Sequence, residues 1–369
     1  MITIIILATL CLAYANGAND NFKGVATLLG SGTTDYKRAL TWATVTTLMG
    51  SLTAVVLAET LLKSFSGKGL VSSELASTPE YGAAVALGAG LTVLLATRVG
   101  MPISTTHSLV GALIGSGWAA GSAVDFARLG SGFFTPLLVS PVMAVAATLL
   151  LYPVLTRVRK SWGITSETCL CVGSEQVEVV PSSCHAVAIA RAEQLSIQLG
   201  DVVTCESRYQ GKMLGIDAST LLDRLHYLSA GMVSFARGLN DTPKIAAMML
   251  LVPALGGFGS TAFVGAAIAI GGIVSARRVA ETMSAKITSM NHGQGFTANF
   301  ITSLIVIGAS RLGLPVSTTH VSCGSLFGIG TVTRQAQWDV IGKILGAWLV
   351  TLPLGATLGA MCYYCVRSL

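Results

Sequence analysis

Charge is what this sequence most lacks. Of its 369 residues only 11% are Asp, Glu, Lys or Arg, against roughly 25% in soluble domains. That shortfall excludes an ordinary cytosolic enzyme and a disordered chain. The formal net charge of +6 is too small and too scattered for a polyanion-binding surface, so nucleic acid is not a partner. Aromatic residues make up 7%, too few for base-stacking platforms. No Gly-x-x-x-x-Gly-Lys-Ser/Thr loop occurs, and nothing in the chain suggests ATP hydrolysis. Residues Met1–Leu12 contain no lysine or arginine. No small-residue cleavage pattern precedes the next polar motif, so this stretch is expected to open the first membrane helix and not to be a signal peptide.

What the chain has instead is apolar bulk. Hydrophobic residues make up 52% and glycine contributes 41 positions, a composition suited to close-packed membrane helices. The mean hydropathy is +0.70. The class is an all-α polytopic membrane protein whose surroundings are the lipid bilayer. Long apolar runs occupy about 2–16, 39–62, 81–97, 132–156, 245–253, 261–274, 297–310 and 338–366. Several reach the roughly 20 residues that span a bilayer. The rest are interrupted by Gly, Asn, Asp, Pro and Ser/Thr clusters, the pattern of broken and re-entrant helices.

A polar stretch from about 157 to 223 stands apart, with Glu167, Glu175, Glu178, Arg191, Asp201, Glu206, Arg208 and Lys212. Alternation at Gln176–Val180 and Asp201–Ser207 predicts short strands, hence a small mixed or β-rich extramembrane insert. It begins with the basic run Arg157-Val-Arg159-Lys160, which places it in the cytoplasm by the positive-inside rule. The domains are therefore a first transmembrane repeat over 1–156, the insert over 157–223, and a second repeat over 224–369. Of eight cysteines, Cys11, Cys323, Cys362 and Cys365 lie in apolar stretches and read as packing residues. Cys169, Cys171, Cys184 and Cys205 fall in the insert. Their spacing is not the usual Cys-x-x-Cys of zinc sites, so free thiols are expected, with a metal or disulfide as the alternative.

The two membrane portions repeat each other. Tyr14-Ala-Asn-Gly17-Ala-Asn19-Asp20-Asn-Phe-Lys23 recurs as Phe235-Ala-Arg-Gly238-Leu-Asn240-Asp241-Thr-Pro-Lys244, 221 residues on. Arg98-Val-Gly100-Met-Pro102-Ile-Ser104-Thr105-Thr106-His107 recurs as Arg311-Leu-Gly313-Leu-Pro315-Val-Ser317-Thr318-Thr319-His320, 213 residues on. Such near-identity within one chain is a duplication, with the insert as the joint. Interrupted segments at matching positions in two halves point to a substrate site at the repeat interface near the membrane midplane.

With these motifs the sequence resembles the PiT family of inorganic phosphate transporters, which includes the mammalian sodium–phosphate cotransporters. The Gly-x-Asn-Asp and Pro-x-Ser-Thr-Thr-His motifs, each present twice, carry the match, which covers nearly the whole chain apart from the insert. The resemblance implies two inverted repeats with broken helices and re-entrant hairpins, secondary transport in the cell membrane, and a homodimer. It implies inorganic phosphate as substrate, driven by sodium or protons, and no further cofactor; some bacterial relatives carry sulfate. An even count of apolar runs in the first half would make the repeats parallel, so one of those runs is expected to be a broken or re-entrant segment.

Each motif has a physical reading. Pro102 and Pro315 suit the first turn of a helix, so each motif is expected to start a half-helix. Its free N–H groups, positive dipole end and the hydroxyls of Ser104, Thr105, Thr106, Ser317, Thr318 and Thr319 would form an anion site without fixed cations. A bland alternative has these hydroxyls back-bonding to their own helices. Asn19, Asp20, Asn240 and Asp241 are hard oxygen ligands at membrane depth, expected to take a coupling cation; Asp20 and Asp241 are the candidate sodium ligands. Asn19 and Asn240 are also candidate anion contacts. Two cations would offset a phosphate dianion. A bare carboxylate facing the anion would favour protonated phosphate over sulfate, unless sodium masks it. His107 and His320 are expected to lock the hairpins as neutral rings, with a proton relay as the alternative. Lys23 and Lys244 either draw anions, snorkel or pair with a carboxylate. Glu281, in Arg277-Arg278-Val-Ala-Glu281-Thr282, is expected to pair with the arginines or to serve a further cation. Gly111-x-x-x-Gly115 and Gly324-x-x-x-Gly328 fit close packing inside a hairpin.

Two other classes compete. An intramembrane hydrolase would use a Ser/Thr nucleophile with His107 or His320, but catalysis needs one asymmetric constellation, and here every candidate is doubled. A channel would need no paired carboxylates and would not concentrate its substrate.

Overall fold

The computed structural model describes residues 1–165, 168–174, 195–201 and 214–369. Among the described residues ten principal helices carry the fold, five in each half. The first half has α1 (Ile2–Asp20), α2 (Tyr36–Leu57), α3 (Pro79–Arg98), α4 (Thr105–Ala119) and α5 (Thr135–Ser161). The second has α6 (Ala218–Ala246), α7 (Gly256–Ser275), α8 (His292–Arg311), α9 (Thr318–Thr333) and α10 (Trp338–Arg367). Their starts are legible in the local chemistry. Asp35 caps α2, Thr78 followed by Pro79 opens α3, and Asn291 with Gln294 forms a capping box on α8. Between the two sets lie three short strands, β1 (Thr168–Ser174), β2 (Leu195–Asp201) and β3 (Leu214–Asp217).

Six helical runs of the described residues are long and apolar enough to cross a membrane: Ile2–Asp20, Tyr36–Leu57, Pro79–Arg98, Phe126–Ser161, Gly256–Ser275 and Trp338–Arg367. Their outward faces are apolar, as at Met49, Leu150, Ile273 and Leu349, while the buried interior holds Asn, Asp, Ser, Thr, Lys and Arg. That inverts the soluble pattern, because lipid rather than water is the solvent outside. This is a multi-pass membrane protein. Helices α4 and α9, at 15 and 16 residues, fall short of the roughly 20 a crossing requires. The apolar run at 245–253 is not a span: it covers the end of α6 and a 3-10 turn, Ala247–Leu251.

The two halves form one compact unit, Met1–Tyr152 with His226–Leu369. Glycines explain how. A Cβ on Gly17 of α1 would sit 1.9 Å from the carbonyl oxygen of Ile268 in α7, and one on Gly271 would sit 2.0 Å from that of Tyr14. At the matching positions, a Cβ on Gly238 of α6 would sit 2.2 Å from the Thr47 oxygen in α2, and one on Gly50 would sit 2.0 Å from that of Phe235. Each half's first helix thus lies directly against the other half's second. The Gly111/Gly115 and Gly324/Gly328 stripes do the same. Gly111 and Gly115 press on Leu352 and Ala356 of α10, and Gly324 and Gly328 press on Pro141 and Thr148 of α5. Close packing was expected inside each hairpin, but its partners belong to the opposite half.

Residues Pro153–Leu225 form a second unit. Its strands make an antiparallel sheet in the order β2-β1-β3, with Leu170 opposite Leu199 on one side and Ile216 on the other. The expected strand at 176–180 and most of that at 201–207 lie outside the described residues, as do Cys184 and Cys205. Cys169 and Cys171 lie on β1. Cys11, Cys323, Cys362 and Cys365 are free thiols.

Candidate functional site

The two motif pairs meet in the interior. Helix α1 ends at Asp20 and the chain turns through 21–25 before resuming as a single helical turn, Ala26–Gly30. In α6 the helix continues past Asp241 to Ala246 with Pro243 inside it, so one carbonyl in the turn before it lacks its usual amide donor. These irregular stretches face the loops that precede α4 and α9. There Ser104 and Ser317 cap the two short helices, their Oγ atoms accepting from the backbone N–H of His107 at 3.1 Å and of His320 at 3.2 Å. The backbone at both caps is nearly identical, φ −94 and ψ 113 against φ −95 and ψ 112. A cap uses the oxygen lone pair and leaves the hydroxyl proton to donate elsewhere. The remaining first-turn amides, those of Thr105 and Thr106 in α4 and of Thr318 and Thr319 in α9, have no acceptor within their own helices.

The asparagines lock these loops. Asn19 donates to Thr97 Oγ1 at 2.9 Å and to the Met101 carbonyl at 3.0 Å, and accepts from the Ile103 N–H at 3.2 Å. Asn240 donates to the Val316 carbonyl at 3.1 Å and accepts from Ser310 Oγ at 3.2 Å. Asp20 accepts through Oδ2 from Thr105 at 3.1 Å and Asn16 at 2.8 Å. Asp241 accepts through Oδ2 from Thr318 at 3.3 Å. Both carboxylates are therefore covered by protein donors. Neither carboxylate is the bare group that would favour protonated phosphate over sulfate.

Fixed cations are present, contrary to the expectation of an anion site without them. Lys23 and Lys244 are 3% and 1% exposed, so neither snorkels. Lys23 pairs with Asp20, and Lys244 lies 3.4 Å from Asp241. Each also reaches the other half. Lys23 Nζ donates to Thr319 Oγ1 at 2.7 Å and to the Ile103 carbonyl at 2.9 Å. Lys244 Nζ donates to Thr106 Oγ1 at 2.8 Å and to the Val316 carbonyl at 2.7 Å. Thr319 and Thr106 in turn donate to those same carbonyls at 2.8 and 3.4 Å. The pattern is crosswise and duplicated, and the protons of all four threonine hydroxyls are committed within it.

The histidines lie between the halves. Their rings are 4.5 Å apart, and His320 stacks on Trp348 at 3.8 Å. Trp348 holds the Pro102 carbonyl through its indole N–H at 3.1 Å. Glu281 lies apart from this cluster, 57% exposed and 3.4 Å from Arg277; it makes the expected ion pair.

Sequence reasoning missed Asn16 and Arg237. They occupy matching positions in the repeated motif, and there the two copies differ. Arg237, 1% exposed, donates to Asn16 Oδ1 at 3.2 Å, Asn21 Oδ1 at 3.1 Å and Thr47 Oγ1 at 3.3 Å. The signal was available: a guanidinium replacing an amide at one position of a duplicated motif is a buried charge by construction.

Polar residues gathered where helices break, at matching positions of two halves, are the pattern of a membrane transporter. The chain belongs to the phosphate transporter family, whose model matches residues 16–359. A protein of Thermococcus kodakarensis that carries a phosphate-permease name is 28% identical, over 98% of this chain and 96% of its own. The chloroplastic inorganic phosphate transporter 2-1 of Arabidopsis thaliana is 26% identical, over 95% of this chain and 69% of its own. Among solved structures, one titled the sodium-dependent phosphate transporter superposes with a TM-score of 0.74 at 20% identity, covering 100% of this chain and 99% of that one; the likeness is one of fold.

Proposed function

We propose that this protein imports inorganic phosphate by cation-coupled secondary transport. One anion is held where the N-termini of α4 and α9 converge, between two inverted repeats whose α3–α4 and α8–α9 pairs are re-entrant hairpins. The observation that carries the reading is the crosswise arrangement, in which Lys23 meets Thr319 and Lys244 meets Thr106. A site that draws on both halves at once can pass its contents from one side to the other as the halves rock. The anion's donors in this reading are the hydroxyls of Ser104 and Ser317 and the first-turn amides of the two short helices, with Thr105, Thr106, Thr318 and Thr319 lining the seat and Asn19 and Asn240 fixing the loops. Asp20 and Asp241, with the same asparagines, provide the cation side. Of the two coupling ions the motifs admit, sodium would bind at Asp20 and Asp241, and a proton would enter with the phosphate. A cavity of about 620 Å³ lined by Lys63, Lys68 and Arg128 supports an anion's approach. It also borders Met248, four residues beyond Lys244. The segment at 157–223 is read as a cytoplasmic insert, and the assembly as a homodimer. Sulfate is the second anion to test, because the carboxylates are covered.

The test is uptake of labelled phosphate into proteoliposomes under an inward sodium or proton gradient, with excess sulfate as competitor. Concentrative uptake that ignores sulfate, and that disappears in Asp20→Asn and in Asp241→Asn, is expected. Uptake blocked by sulfate would transfer the reading to sulfate. Folded protein that concentrates neither anion would refute the transport mechanism.

A further inference from the structure

The surroundings of Lys23 Nζ are those of a metal ion. Four oxygens from three parts of the chain converge on it: the Asn19 amide at 2.8 Å, the Asp20 carboxylate, the Ile103 carbonyl at 2.9 Å and the Thr319 hydroxyl at 2.7 Å. An ammonium has three protons, so four acceptors exceed what it needs. Carboxylate, amide, carbonyl and hydroxyl oxygens together are the donor set of a small hard cation. The second half repeats three of these four around Lys244 Nζ, with the Asp241 carboxylate at 3.4 Å, the Val316 carbonyl at 2.7 Å and the Thr106 hydroxyl at 2.8 Å, while the Asn240 amide oxygen accepts from Ser310 instead. Both lysines occupy the same place in the duplicated motif, three residues after the aspartate.

We infer that Lys23 and Lys244 permanently fill the two cation seats, so that this transporter carries its own positive charges and takes no sodium along with the anion. A sodium ion does not fit while a nitrogen occupies the centre of each cage, and the single charge it would bring is already there. The two ammoniums stand beside the half-helix starts, where they oppose the charge of the anion. Being tethered, they cannot leave with it, and a sodium gradient therefore has no grip on the transport cycle. This rests on the reading that Asp20 and Asp241 form the cation side of a transport site.

The experiment has a binding arm and a transport arm. In the first, purified protein is titrated with sodium chloride against choline chloride at constant ionic strength, following thermal unfolding and sodium-23 relaxation. Wild type is expected to show no sodium-specific shift, while Lys23→Asn/Lys244→Asn, with both cages vacated, acquires a saturable one. In the second arm, phosphate uptake by wild type under a proton gradient is expected to be the same in sodium and in choline. Saturable sodium binding to wild type, or uptake lost in choline, would overturn the inference. So would a folded double variant that still ignores sodium, because the cages would then not be cation seats. If the double variant does not fold, Lys244→Asn alone takes its place. Should phosphate not be taken up in any medium, the transport reading fails by itself, and the binding arm still decides this one.

Discussion

Lys23→Met is expected to destabilise the protein by about 3–5 kcal/mol, the usual cost of breaking a buried ion pair by removing one partner. Asp20 is 1% exposed. Its Oδ2 is served by Thr105 and Asn16, but its Oδ1 faces the lysine. Methionine keeps the length of the side chain and removes the charge, leaving a buried carboxylate without its counter-ion. Adding Asp20→Asn should restore most of the loss: the amide oxygen can still accept from Thr105 and Asn16, and the amide N–H₂ points into the space the ammonium left. Transport should be absent in both variants, because the double change repairs the fold and not the charge pattern. Thermal unfolding in sodium-free detergent solution, read alongside phosphate uptake, checks this. A single variant as stable as wild type would contradict the ion pair.

The second large effect concerns packing. A Cβ at Gly115 would lie 1.8 Å from the carbonyl oxygen of Ala356, and one at Gly111 would lie 2.3 Å from that of Leu352. The obstacles are backbone atoms of α10, which have no rotamer to change. Gly111→Ala/Gly115→Ala must therefore drive α4 and α10 apart. Overpacking of a close interface costs about 1–3 kcal/mol per site. The displacement also moves the start of α4, where Thr105 and Thr106 sit, so phosphate uptake should fall to background. Gly346→Ala is the control. It lies in the same α10, where an added Cβ meets nothing within 4 Å, and it should be neutral or stabilising by about 0.5–1 kcal/mol through helix propensity. Similar unfolding temperatures for the two proteins would contradict the close crossing.

Much of the architecture was legible in the residues. The scarcity of charge, the apolar runs and the duplicated motifs gave the membrane class and the family, and both stand. The short helices were expected to start at Pro102 and Pro315, but they start two residues later, at Ser104 and Ser317, because each serine oxygen caps the following turn while the proline stays in the loop before it. What sequence could not supply were contacts between the halves. Lys23 and Thr319 are 296 residues apart, and no local pattern says that a lysine three residues after an aspartate turns inward to a distant hydroxyl rather than outward to the membrane surface. The partners of Gly111 and Gly115 escaped for the same reason: a small-residue stripe announces a close neighbour without naming it. Arg237 was overlooked because resemblance between the motif copies drew attention to the positions that agree. The charge it brings stands where they differ.

The central claim is that the two halves build a single anion site. Equilibrium binding of radiolabelled phosphate to the purified protein tests it most directly, in wild type and in Thr106→Val and Thr319→Val taken one at a time. The account predicts one phosphate per chain in wild type and loss of all of it in either variant, since each threonine contacts a lysine and a carbonyl from the opposite half. Two phosphates per chain, with each variant keeping one, would mean that each half binds on its own, and would contradict it.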